Sequence, residues 1–346
     1  MMKVLLIKLK NIGDTLLLTP VARAIKEAYP GSLVSVLVRT GTQGILDGCP
    51  YIDRVLLSAA PEKNKRTRSL SQDWQNLLEI RAEKYDFVFE LTDNDRGRWI
   101  TSFSGARRRI TSAHGWPLHW FFRARFTDLS TQNWQLMHRV EKDYRLVAEF
   151  LPLPAEVPPL VFETTGGIDP LVAGQGPYVV VHPVSRWKRK AWPAERWQAV
   201  CRHLIDRGLF CVVSSGPDEI EVGLAEEITR DLGPRAVLTR GQRSWAELAR
   251  LIHGAQLFTG LDTAAMHLAS ACQCPVVALF GPSIEHHWHP WRSPYEIVSS
   301  GGLLHTRYPD FMFDAEKRPM AAIEAAEVIA ACDRMLAKHP REAKSA

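Results

Sequence analysis

Apolar positions along this chain follow two rhythms that take turns. Short apolar runs occupy residues 4–7, 33–38 (broken only by Ser35) and 55–57, with 87–91 and 108–111 as candidate further strands. Runs of that length between polar or turn residues read as strands buried on both faces. Between them the spacing becomes helical: Leu17, Val21, Ala24, Ile25 and Ala28 recur at three- and four-residue steps and predict a helix with one apolar face. Pro20 lies inside it, so its first turn is expected to be kinked or separately set. Tyr29-Pro30-Gly31 stops it. Residues 70–82 and 140–150 read as further helices, and 61–68 as a polar loop.

Periodicity then fades through Leu151-Pro152-Leu153-Pro154, Pro158-Pro159 and Gly166-Gly167, the best linker in the chain. Beyond it the alternation restarts. Strands are expected at 178–182, 209–214, 236–238, 257–259 and 276–280. Helices are expected at 194–207, 219–232, 244–252 (capped by Ser244), 263–272 and finally 321–336. Strand–helix alternation on this scale means parallel sheets with helices on both faces. The expected fold class is therefore α/β, with two Rossmann-like doubly wound domains facing a central cleft. The first spans 1–160 and the second 161–320; 321–346 holds a C-terminal helix, expected to pack back toward the first domain, and a tail.

Composition narrows the class. A chain of 346 residues exceeds one ordinary core, and 46% hydrophobic with 23% charged residues is a globular balance. No apolar run reaches the length of a membrane span. The short run at 4–7 reads as a strand and not as a signal peptide, which leads to a cytoplasmic expectation. Cys49, Cys201, Cys211, Cys272, Cys274 and Cys332 are scattered, and Cys272-Gln273-Cys274 has no Cys/His partner pair at zinc-ligand spacing, so small buried thiols are expected. The net charge of +5 is uneven. Arg96, Arg98, Arg107, Arg108, Arg109, Arg123 and Arg125 crowd one region, interleaved with Trp99, Trp116, Trp120, Phe121 and Phe122. Lys63, Lys65, Arg66 and Arg68 form a second basic stretch. The region reads either as a solvated face over core aromatics or as a surface for an anionic, partly lipidic partner. Nucleic acid is not expected, because no recognised binding motif accompanies the charge.

Two loops stand out. Lys8 to Thr15 follows the first strand, and Gly260 to His267 follows the strand at 257–259; each opens a helix. Small polar loops there offer free backbone N–H groups and a positive helix end to anionic ligands. Asp14 is either a helix N-cap or a base that takes a proton from an attacking alcohol; Gly13 lets a partner approach the backbone. The helix end favours a charged carboxylate at such a position. Lys188, Arg189 and Lys190 precede Ala191-Trp192-Pro193, which suits a first helical turn. That loop is either solvated or a diphosphate clamp, with Lys190 as point charge and Ser185 as hydroxyl donor. Asp262 and Thr263 open a helix of small residues, and His267 lies one turn further, as ligand contact or structural histidine. Asp93-Asn94-Asp95 has the D-x-D form of some metal-dependent sugar transferases, but two carboxylates at a strand end more often line a pocket or cap a helix.

In order and spacing, these segments resemble the heptosyltransferases of lipopolysaccharide core synthesis, glycosyltransferase family 9. They are Ile7 through Pro20, His182-Pro183 through Lys190-Ala191-Trp192-Pro193 to Trp197, Ser215-Gly216-Pro217-Asp218-Glu219, Asp262-Thr263-Ala264-Ala265-Met266-His267 and Phe280-Gly281-Pro282-Ser283. The resemblance spans nearly the whole chain. It implies a GT-B enzyme without metal or cofactor that inverts the anomeric centre. The donor would be ADP-L-glycero-β-D-manno-heptose, held by the C-terminal domain; the acceptor would be the lipopolysaccharide inner core, held by the N-terminal domain. Asn11-Ile12-Gly13-Asp14 and Asp93-Asn94-Asp95-Arg96-Gly97 look most like the enzymes that add the third, branching heptose. By the same resemblance Asp14 is the general base, Lys190 and Ser185 serve the diphosphate, and Asp262, Thr263 and His267 form the donor loop. Glu219 reaches the adenosine ribose, with Glu221 close enough to exchange roles. Asn11, Gly13, Asp93, Arg96 and Arg98 fall on the acceptor side. Arg243 replaces a methionine that some relatives place near adenine, which leaves the adenine contacts open. Work at the cytoplasmic face of the inner membrane, with peripheral membrane contact, follows from the acceptor. The alternatives are a sibling transferase adding heptose I or II and a non-catalytic nucleotide- or lipopolysaccharide-binding relative. An oxidoreductase would need G-x-G-x-x-G after a strand, which neither half has.

Overall fold

A computed structural model describes residues 1–59, 66–114, 118–301 and 318–341, without the side chains of 66–70. Lys63, Lys65 and Trp116, most of the expected polar loop, and the side chains of Arg66 and Arg68 lie outside the described residues. The chain divides into two compact units, Met1–Val161 and Phe162–Ala346. No described helix is long and apolar enough to cross a membrane.

The first unit holds strands β1 Lys3–Lys8, β2 Leu33–Arg39, β3 Arg54–Ser58, β4 Phe87–Glu90, β5 Arg108–Ser112 and β6 Asp128–Ser130. Its helices are α1 Ile12–Leu16, α2 Thr19–Ala28, α3 Arg66–Glu83, α4 Asp95–Phe103, α5 Trp120–Arg123 and α6 Arg139–Phe150. All strand pairs are parallel, in the order β3-β2-β1-β4-β5-β6. β1 is central, and Val4, Leu5, Leu6 and Ile7 are fully buried, as a strand covered on both faces requires. Leu5 and Ile7 join Leu37, Leu56, Val88, Ile80 of α3 and Ile100 of α4 in one core. By the two-residue period Lys8 points to the opposite face, where it meets α6. Pro20 does set the helix apart: α1 ends at Leu16, and α2 starts afresh with proline in its first turn.

The second unit holds β7 Tyr178–His182, β8 Phe210–Val213, β9 Ala236–Leu238, β10 Leu257–Leu261, β11 Val276–Phe280 and β12 Tyr295–Ser299. Its helices are α7 Ala194–Asp206, α8 Glu219–Thr229, α9 Trp245–Gly254, α10 Ala264–Ala271, α11 Glu285–Trp288 and α12 Ala325–Lys338. The order is β12-β11-β10-β7-β8-β9, again all parallel. Counted from its own first strand, each sheet therefore reverses direction between the first and fourth strands, the crevice where α/β proteins bind ligands. α7, α8 and α12 cover one face and α9 and α10 contact the sheet from elsewhere. Val328, Ala331, Cys332 and Met335 of α12 are buried in this unit's core. All six cysteines are free and buried.

α4, α5, β6, α11 and β12 were not legible from apolar periodicity. In α4 the buried residues include Gly97, Arg98, Thr101 and Ser102, so a polar pattern hides a packed face. Gly97 is required there: a Cβ would stand 2.5 Å from Glu90 Oε1 on the neighbouring strand.

Gly260 sets the spacing at the second reversal point. It pairs with His182 in register, and a Cβ would lie 2.7 Å from the His182 carbonyl oxygen. Because the clash is with backbone, Gly260→Ala is expected to destabilise the protein by about 1–3 kcal/mol. Gly223 sits within α8 with open space around it, so Gly223→Ala should stabilise by about 0.5–1 kcal/mol. Urea denaturation of both variants checks the pair.

Candidate active site

In the first unit the chain leaves β1 beside the end of β4. Leu9 N donates to Thr92 Oγ1 at 2.8 Å and Leu91 N to the Ile7 carbonyl at 3.0 Å, which fixes the loop against β4. Asn11 is the N-cap of α1, not Asp14. Gly13 and Asp14 lie in the first turn, and Asp14 Oδ2 accepts from Asn11 N at 3.3 Å, closing a capping box. Asp14 is mostly buried, at 8% exposure. Around this loop lies a set of buried charges. Lys8 Nζ reaches Asp143 Oδ2 at 2.5 Å, and Lys142 pairs with Asp93. Lys142 also lies 4.6 Å from the Trp134 ring centroid. Burial, and then the neighbouring Lys10, depress the Lys142 ammonium well below the ordinary lysine range. Burial raises the Glu90 carboxyl, even though Thr111 Oγ1 donates to it at 2.9 Å.

The D-x-D segment separates into three tasks. Asp93 takes a left-handed conformation, φ 58°, and binds Lys142. Asn94 caps α4 by accepting from Gly97 N at 2.8 Å. Asp95 is exposed, 3.6 Å from Arg98. Among the described residues no three His, Cys, Asp or Glu side chains gather as cation ligands. Arg98 is fully buried, and Arg96 closes on Asp73 through Nε at 2.6 Å and Nη2 at 2.8 Å, with Nη1 on the Ala59 carbonyl. Arg96 thereby ties α4 to α3.

In the second unit the loop after β7 and the loop after β10 meet. Lys190 Nζ donates to Asp262 Oδ2 at 2.6 Å and to the Asp262 carbonyl at 3.0 Å. Burial raises the Asp262 carboxyl, but Lys190, His267 and Ser283 outweigh it and hold the group below its ordinary value. Thr263 is the N-cap of α10, yet its hydroxyl caps nothing; Oγ1 is shielded from solvent without a hydrogen-bond partner among the described residues. His267 N donates to the Thr263 carbonyl, and its ring is buried 6.3 Å from that of Trp288. Ser185 Oγ accepts from Trp187 N at 3.2 Å. Glu219 is exposed in the first turn of α8, behind its N-cap Asp218. Glu221 is half-buried and accepts from Gly216 N at 3.0 Å. Arg243 reaches buried Asp169 at 3.2 Å, so it serves the core of this unit.

The model of glycosyltransferase family 9 (heptosyltransferase) matches residues 75–309. A lipopolysaccharide heptosyltransferase 3 of Escherichia coli is 31% identical over 336 residues, covering 94% of this chain and 96% of the relative. The chain belongs to glycosyltransferase family 9. In fold, this glycosyltransferase resembles the family 9 protein of Veillonella parvula, with TM-score 0.82 and 20% identity over 97% of this chain and 98% of that one. It also resembles the Escherichia coli heptosyltransferase WaaC solved with ADP, with TM-score 0.78 and 17% identity over 96% and 100% of the two chains. The shared architecture is GT-B, two Rossmann-like sheets with flanking helices.

Several positioning residues of this glycosyltransferase escaped the sequence reading. Lys142, Asp143 and Thr92 reach the first loop from distant segments, and no local pattern marks them. The tryptophans of the Lys190 segment did carry a signal. Trp192 is buried, its indole N–H donates to the Ile323 carbonyl at 3.0 Å, and it packs edge-on against Trp197 at 4.8 Å. They fix the backbone two residues from Lys190. The arginine crowd is largely internal: Arg108 bonds Asp128, while Arg109 donates to the Ala106 and Arg125 carbonyls.

His182, at the end of β7, shares a 2.9 Å hydrogen bond with Ser214 Oγ. Burial pushes its imidazole down from 6.5 to about 4. Between those values the unfolded chain binds the extra proton and the folded one does not, so stability falls as pH drops from 6.5 toward 4. The loss amounts to about 3 kcal/mol. His182→Asn, which keeps a hydrogen-bonding group but cannot titrate, should flatten that part of the profile. Urea midpoints measured against pH for both proteins check this.

Proposed function

We propose that this enzyme transfers heptose from ADP-L-glycero-β-D-manno-heptose to the lipopolysaccharide inner core, adding the third, branching heptose, without a metal and with inversion. The similarity to a heptosyltransferase 3 over nearly the full chain supports the choice of substrate and position. The observation that carries the chemistry is the ammonium of Lys190, fixed by Asp262 beside the unpartnered hydroxyl of Thr263 at the head of α10.

Lysine has three donors, and Lys190 uses two of them on Asp262. The third is available to a diphosphate oxygen. Together with Ser185, Thr263 and the first N–H groups of α10, it would stabilise negative charge on the departing ADP, the task that a cation performs in metal-dependent transferases. Asp14 would accept the proton of the acceptor hydroxyl as its oxygen bonds to the anomeric carbon and the bond to the diphosphate breaks. Attack opposite the leaving group inverts that carbon. Glu219 would meet the ribose and His267 would support the donor loop. Asn11, Gly13 and Asp93 would shape the acceptor side, with Asp93 acting through its pairing to Lys142. Domains 1–160 and 161–320 would thus divide acceptor and donor binding.

Asp14→Asn should lower kcat by about three orders of magnitude while leaving the affinity for ADP nearly unchanged; a variant with near-normal turnover would overturn the assignment. Activity should also survive EDTA, and an activity lost to EDTA and restored by Mg²⁺ or Mn²⁺ would refute metal independence. Assays with ADP-heptose and defined truncated cores, with the product linkage determined, test the third-heptose reading.

Peripheral contact with the cytoplasmic face of the inner membrane belongs to the same proposal. Trp120 is 73% exposed on α5, which also carries exposed Arg123. Behind it Trp99, Phe103, Phe121 and Phe122 form a chain of ring contacts, with Arg125 stacked over Phe103 and Phe121. Aromatics at an interface with cations around them suit an anionic bilayer. The enzyme should co-sediment with phosphatidylglycerol-containing vesicles more than with pure phosphatidylcholine, and Trp120→Ala with Arg123→Glu should reduce that excess several-fold.

A further inference from the structure

The loop that carries Asp14 holds another charged group with no task assigned above. Lys10 is half-buried, four residues before Asp14. The cations around it are engaged: Lys8 with Asp143, Lys142 with Asp93, and Arg139 over the Trp134 ring at 4.7 Å. Lys10 makes no hydrogen bond or ion pair with any described residue. Asp14 and Asp143 act on it only through space, while Lys8 and Arg139 oppose its charge. A partly desolvated ammonium among like charges is an unfavourable arrangement that a bound anion relieves. Burial first, and then Lys8, lower its pKa, which agrees with an uncompensated cation.

We propose that Lys10 receives an anionic substituent of the acceptor, a phosphate monoester or a carboxylate, on the sugar whose hydroxyl attacks. This rests on the reading that the acceptor hydroxyl meets Asp14. Lys10 and Asp14 share one loop, so a residue that grips a neighbouring anion also sets which hydroxyl faces the base. Lys10 is then a specificity-determining residue, and its ammonium distinguishes charged from uncharged acceptors before any chemistry.

The test uses the full-length enzyme, ADP-heptose, and three truncated core acceptors: one bearing a phosphate monoester and carboxylates, the same one dephosphorylated, and a dephosphorylated one with its carboxylates converted to amides. Lys10→Gln should raise KM for the first acceptor about tenfold, the scale of one charge-assisted contact, with the KM for ADP-heptose unchanged; Lys10→Arg should retain most of the affinity. If dephosphorylation of the acceptor abolishes the difference between wild type and Lys10→Gln, the anion is phosphate. If only amidation abolishes it, the anion is a carboxylate. Equal KM values for wild type and Lys10→Gln on every acceptor would overturn the proposal, as would a difference that persists on the amide. Failure of the underlying reading shows separately, as full turnover by Asp14→Asn.

Discussion

A charged side chain at the end of a buried parallel strand must find a counter-charge, because the low-dielectric interior penalises an isolated ion by far more than any one contact returns. Both units meet this constraint at the same topological place. In the first, Lys8 ends β1 against Asp143 and Asp93 follows β4 against Lys142. In the second, Asp262 follows β10 against Lys190. Each partner arrives from a distant segment, so each pair holds a loop at the strand reversal. The ion pairs are weak arguments for net stability, but breaking one would leave an uncompensated charge, and this makes the loop geometry hard to lose.

The supporting packing is specific to these places. Gly97 leaves room for Glu90, and Gly260 lets β10 approach the His182 backbone. Trp192 and Trp197 turn the segment after Lys190 into a buried anchor under α12. A lysine on a free loop loses much rotamer entropy when it binds a ligand. Lys190 has already lost it in folding, because Asp262 holds the ammonium from two sides.

The fold was legible in the sequence wherever burial was apolar. Continuous runs such as residues 4–7 and 178–182 could only be strands covered on both faces, and Ser244 marked its helix by its cap. α4 was hidden because its inner face carries Gly97, Arg98 and Thr101 instead of aliphatic residues. At the site, the two loops and the Lys190 segment could be found because strand, small residues and helix start are local. Their partners could not. Asp143 and Lys142 look like the polar face of α6, yet both are buried. Arg96 is a similar case: its partner Asp73 lies on α3, and only the fold brings the two together. Of the two readings of Asp14, the N-cap one is excluded, since the turn begins three residues earlier and Asn11 is the cap.

The two units handle charge differently, and the proposed reaction explains why. Lys190 and Asp262 form a one-to-one pair, so by themselves they add almost no net positive potential for a diphosphate. Further potential would come from the first N–H groups of α10 and from the exposed cations of the same loop, Arg186, Lys188 and Arg189, with Arg189 stacked 4.4 Å over Trp187. Exposed cations attract the donor from a distance and are screened by salt, whereas Lys190 acts only at contact. Long-range attraction and short-range placement are thus assigned to different residues of one five-residue segment. In the first unit Lys10 is a cation left without such a pairing, four residues before the carboxylate of Asp14, which we propose meets a neutral hydroxyl. A hydroxyl offers little for an enzyme to grip, so binding energy has to be drawn from a charged neighbour on the same sugar.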